Sequence, residues 1–93
     1  MTTNEDEILN MTCEDLEQLS TTSNPQEVEK AIHKYSIYLD QSVKCLQKAD
    51  TTNAPLILDK INDVMQKAWA VPTHGHELGY SLCNALRNCG GLD

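Results

Sequence analysis

Apolar residues recur at helical spacing through most of this chain. Val28, Ile32, Tyr35, Leu39, Val43 and Leu46 follow one another at steps of four and three, which puts them on one face of a helix over residues 25–49. Asn24-Pro25 is its start signal: an Asn side chain can accept from the free N–H groups of the first turn, and Pro at the first position gives up an N–H that has no partner anyway. Asp50-Thr-Thr-Asn53 is a short polar connector, and Asn53 with Pro55 repeats the same grammar. Leu58, Ile61, Val64, Met65 and Ala68 predict a second helix ending near Ala70, where Val71-Pro72 forces the backbone out of helix. A connection this short implies antiparallel neighbours. A third helix, starting between residues 73 and 76 around the Gly75 break, carries Leu78, Leu82, Ala85, Leu86 and Cys89 on one face, and Gly90 can supply the left-handed position that ends it. No alternating β-branched run competes, so the class is all-α.

Residues 1–24 carry a weaker pattern. Ile8, Met11, Leu16 and Leu19 fit a helical stripe imperfectly, and Thr12-Cys-Glu-Asp15 has the form of a capping box. A short helix and an acidic, flexible tail are both compatible with this segment. The division is therefore a tail over 1–24 and a helical segment over 25–93.

Charge narrows the partners. The chain has a formal net charge of −7, and residues 1–29 hold Glu5, Asp6, Glu7, Glu14, Asp15, Glu17, Glu27 and Glu29 with no Lys or Arg. Nucleic acid and anionic membrane surfaces are poor partners for such a segment. It is also unlike an Arg-rich transit peptide, and no apolar run has the length of a signal peptide or membrane span. A cytoplasmic location is the expectation. Most acidic runs are simply solvated, and a docking arm is the sharper alternative.

Chemistry-bearing residues are few. Cys13, Cys45, Cys83 and Cys89 lack the tight spacing of a disulfide framework, so reduced thiols are expected, with Cys83 and Cys89 on or near a buried face. His74-x-His76 with Cys83 and Cys89 lacks the paired clamps of a zinc site, and no Lys or Arg marks any cysteine as an activated nucleophile. No metal and no catalytic residue is assigned. His33 falls on an exposed part of the first helix. Trp69, the sole tryptophan, stands at a helix end beside Pro72-Thr-His-Gly-His76. It reads either as a half-buried packing residue or as a flat platform on which a nucleobase or a cationic ring can stack.

Over residues 68–93 the chain carries Ala68-Trp69, Pro72, Gly75, then Gly79-x-x-x-Cys83-x-x-Leu86-Arg87 and Gly90-Gly-Leu-Asp93. This series resembles the start of the armadillo-repeat domain of SARM proteins (sterile alpha and TIR motif), particularly invertebrate ones. The resemblance extends back to about Gln41 and more loosely to Pro25. It implies the N-terminal edge of an armadillo solenoid, with the Gly-Gly stop leading to a further helix. It also implies a regulatory, autoinhibitory role in an NAD+ hydrolase of axon degeneration, neuronal signalling and innate immunity, found in cytoplasm, axon, dendrite and synapse. In that family a C-terminal TIR domain cleaves NAD+, SAM domains build a homo-oligomer, and the armadillo domain binds NAD+ or nicotinamide mononucleotide as allosteric ligand. The partners implied for this segment are the downstream repeats and the TIR domain. The chain itself carries no catalytic framework and is not expected to be an enzyme.

By the same resemblance Trp69 stacks on the nucleotide, and His76 occupies the place where vertebrate members carry a phosphate-pairing arginine. An imidazole lacks the permanent charge and bidentate fork of a guanidinium. A neighbouring phosphate favours its protonated form, so binding through His76 should weaken as pH rises. The alternative function is a free-standing helical interaction module, or a short isoform, that docks through an apolar face including Leu82 and Leu86. A terminal piece of a solenoid leaves one face uncovered, so marginal folding or self-association is expected of residues 1–93 alone.

Overall fold

The computed structural model describes the backbone of residues 5–88 and the side chains of residues 7–88. It contains five helices in chain order: α1 (Glu5–Asn10), α2 (Glu14–Glu17), α3 (Pro25–Lys48), α4 (Ala54–Ala70) and α5 (Gly75–Asn88). Among the described residues there is no strand, and the fold is all-α.

α3 starts as its sequence dictates. The Asn24 side chain accepts from the Glu27 N–H at 2.9 Å with Pro25 in the first turn. Its buried stripe, Val28, Ala31, Tyr35, Leu39 and Val43, follows the predicted face, but Tyr38 and Ser42 widen it. Tyr38 is inside because its hydroxyl donates to the Ile8 carbonyl at 3.0 Å, and Ser42 donates to the Tyr38 carbonyl at 2.7 Å, so both polar groups are satisfied without water.

α4 differs from expectation at its start and in its register. Asn53 makes no side-chain cap; Asp50 Oδ1 instead accepts from the N–H groups of Thr52 and Asn53, at 3.0 and 2.9 Å. The inward residue of the first turn is Ile57, fully buried, while Leu58 is 48% exposed. Either could begin a three-four pattern with Ile61; the choice is made by the neighbouring helices that pack on α4.

α5 turns Leu78 and Leu82 fully inward, with Leu86 and Ala85 partly covered. Cys83 and Cys45 are half-buried and His33 is exposed. The positions expected for Cys89 and Gly90 lie outside the described residues. With Leu82 in the core, α5 does not offer the Leu82 and Leu86 docking face. Among the described residues the exposed large apolar side chains are Ile37, Leu56, Leu58, Trp69 and Tyr80.

Helices α3, α4 and α5 pack against one another, and α1 lies across α3 and α4 while α2 rests on α4. Where the sequence left a helix and a flexible tail as alternatives, residues 5–19 form two short helices whose Ile8, Cys13, Leu16 and Leu19 join the core. Each fully buried aliphatic side chain contributes about 1.5–3 kcal/mol. Polar contacts fix the register. Tyr35 donates to the Thr12 carbonyl at 3.1 Å, Lys60 to the Met11 carbonyl at 3.2 Å, Lys67 pairs with Glu17 at 2.9 Å, and Lys34 pairs with Asp15. Two lysines of the body thus meet acids that the tail brings, and a third meets a tail carbonyl. The expected capping box does not form: Cys13 is the N-cap of α2 and makes no side-chain cap bond, and Thr12 is exposed.

Candidate functional site

The site is built where α4 ends and α5 begins. Val71 and Pro72 stop α4, and His74 N–H then donates to the Pro72 carbonyl at 2.7 Å around Thr73, whose φ is 67°. A bond from residue i to i+2 across a positive-φ centre is the strained form of the γ-turn, and a β-branched residue there is uncommon. Such strain concentrates at sites where surrounding packing overrides local preference. The turn lets α5 start directly against α4. A Cβ on Gly75 would lie under 3.0 Å from the Trp69 carbonyl oxygen, so only glycine permits this approach.

One turn later Gly79 does the same for the Trp69 side chain. A Cβ there would fall under 3.0 Å from Cδ2, Cε2 and Cε3 of the indole at similar distances, so a ring face lies on the helix backbone at Gly79. The indole is nevertheless 41% exposed. His76 stands 6.0 Å away, centroid to centroid, at 83°, and Tyr80 stands 5.1 Å away at 73°. His76 and Tyr80 are one turn apart on α5, 6.1 Å between centroids and tilted by 32°. Edge-to-face contacts of this kind add about 0.5–1.5 kcal/mol beyond area burial.

Trp69 and His76, which the resemblance names together for one site, belong to one ring cluster. Gly79 and Tyr80 complete it. Their signal was present: two glycines four apart inside one helix imply a close neighbour, because each costs about 1 kcal/mol against Ala. His74 is not part of the cluster. Its Nε2 is buried and has no hydrogen-bond partner among the described residues. No group of three or more His, Cys, Asp or Glu that could hold a metal occurs among the described residues.

A second concave feature lies between α1 and α4, an open groove of about 480 Å³ lined by Leu9, Leu56, Asp59, Lys60 and Asp63. Beside it, Cys13 Sγ donates to Asp63 Oδ2 at 3.4 Å. Burial, then the bond to the carboxylate, pushes this thiol up to about 11. Its place at a helix N-terminus, which by itself favours thiolate, is outweighed by these two effects.

The chain is 47% identical, over a 91-residue alignment covering 86% of its length, to the Drosophila melanogaster protein named NAD(+) hydrolase sarm1. Along this stretch the chain belongs to the SARM family. It spans 7% of the length of that SARM relative. No family model matches the chain, and no solved structure matches it. No described helix is long and apolar enough to cross a membrane.

Proposed function

We propose that this SARM segment is the N-terminal regulatory, autoinhibitory armadillo portion of an NAD+ hydrolase, and that its Trp69, His76 and Tyr80 cluster forms one wall of a site for NAD+ or nicotinamide mononucleotide. The observation that carries this reading is the juxtaposition of an exposed indole and an imidazole 6.0 Å apart on the α4–α5 corner. The indole offers a planar surface to a pyridinium ring, and the imidazole offers a donor to a phosphate. Further repeats supply the opposite wall, and the TIR domain supplies catalysis. Control then works by population shift: a nucleotide acts only through its different affinities for the restrained and released states.

The test uses the longer protein that includes the downstream repeats. Nucleotide binding, followed by quenching of Trp69 fluorescence or by calorimetry, should be tighter at pH 6.5 than at pH 8, flatten with pH in His76→Arg and drop at least tenfold in Trp69→Ala. A flat profile in the unaltered protein, or one that His76→Arg leaves unchanged, removes His76 from the site. Full binding by Trp69→Ala removes the site itself.

A further inference from the structure

We propose that Thr12 is the acceptor site of an acid-directed protein kinase and that its phosphate releases residues 5–19 from α3 and α4. Three observations converge on it.

The first is the spent alternative. Thr12-x-x-Asp15 has the sequence of a helix cap, yet the cap is not made: α2 begins after Cys13, and Thr12 is exposed in the non-helical gap between α1 and α2 with only its carbonyl engaged, by Tyr35. The capping role of the motif is unused.

The second is context. Kinases that select acidic substrates read carboxylates just after the acceptor, above all three residues on. Thr12 is followed by Glu14, Asp15 and Glu17, and no Lys or Arg occurs before Lys30 to oppose a basic recognition surface. Of the serines and threonines in the described residues, Thr12 alone has an acid at the third following position; in the whole sequence Thr2 and Thr3 share that register. The α2 helix is a single turn of four residues, so few of its own backbone bonds oppose an extended form, and the main cost of opening it is withdrawing Leu16 from the core.

The third is electrostatic consequence. Asp15 pairs with Lys34 and Glu17 with Lys67 across the interface, where Cys13 also reaches Asp63 and Lys60 reaches the Met11 carbonyl, and Glu14 is exposed beside them. All three lysines are already engaged, on Asp15, the Met11 carbonyl and Glu17. Transfer of the γ-phosphoryl of ATP forms a P–O bond to Thr12 Oγ1 as the bond to ADP breaks, and the hydroxyl proton passes to the kinase's base. The product adds about two negative charges beside those acids. Repulsion then acts on the segment that the lysines hold.

The purified chain incubated with an acid-directed Ser/Thr kinase and ATP should acquire phosphate at Thr12 by peptide mass mapping, and amide hydrogen exchange over residues 5–19 should speed up at least tenfold relative to an ATP-free control. Thr12→Ala should lose both effects. Asp15→Asn should slow phosphorylation at least fivefold, whereas Lys34→Ala, which breaks the same ion pair but keeps the acid, should not slow it. Phosphate confined to Thr2 or Thr3, or an Asp15→Asn rate equal to or above that of the unaltered chain, overturns the site. Phosphate on Thr12 with unchanged exchange overturns the release.

Discussion

The face of the Trp69 indole rests on the backbone of α5 at Gly79, closer than any side chain there would allow. Gly79→Ala should therefore destabilise the chain even though Ala is the better helix former. Overpacking typically costs about 1–3 kcal/mol against a propensity gain of about 1 kcal/mol. Because Trp69 is the sole tryptophan, its emission maximum should shift in the same variant. Combining Gly79→Ala with Trp69→Ala should recover part of the loss, and a double-mutant cycle by thermal melts measures the coupling.

Thr73 holds a positive φ that threonine disfavours. Thr73→Gly removes a strain of about 1–3 kcal/mol and adds back about 0.5–1 kcal/mol of unfolded-chain entropy. The melting temperature should rise slightly or hold, while Thr73→Val should stay near the parent. A comparable fall in Thr73→Gly and Thr73→Val would show that the hydroxyl, not the backbone, matters there.

Cys13 ties stability to alkaline pH. Its thiol titrates near 9.0 when unfolded and near 11 in place, because it is buried and donates to Asp63. Below pH 9 both states keep the proton, so the group contributes no pH dependence. Between pH 9 and about 11 the unfolded chain loses the proton first, and stability falls by at most about 3 kcal/mol. Cys13→Ser, which keeps a donor for Asp63, should abolish this component in denaturant titrations. Tyr35, raised to about 12 chiefly by burial, gives a separate loss at higher pH. In alkylation at neutral pH, Cys13 should react more slowly than Cys45 or Cys83.

Helix starts give a fourth test. Asn24→Ala removes a made cap and should cost about 1 kcal/mol in urea melts, and Asp50→Ala should cost a similar amount for the α4 turn.

These positions also mark how far the sequence could be read. The α3 stripe was legible because four-three spacing over six positions has one geometric solution. On α4, Leu58 and Ile57 both fit a shorter pattern, and only the position of neighbouring helices separates them. The docking of Ile8, Leu16 and Leu19 depends on tyrosine hydroxyls 23 and 30 residues away, beyond any local signal. At the candidate site Trp69 and His76 were visible as types of residue. The resemblance put them in one site, but the geometry of their contact was not legible, since it requires the turn at Thr73 and two glycines acting together.

The clamp on the N-terminal segment has a consequence for how the chain is made. Cys13 to Asp63 and Glu17 to Lys67 each span 50 residues, so the portion synthesised first can reach its seat only after α4 has emerged. Pairings this distant close late. Until then Ile8, Leu16 and Leu19 stand open to water and to other chains, and the eight acids of residues 1–29 hold nascent copies apart by mutual repulsion. The same charges that later find lysines first serve as a solubilising escort.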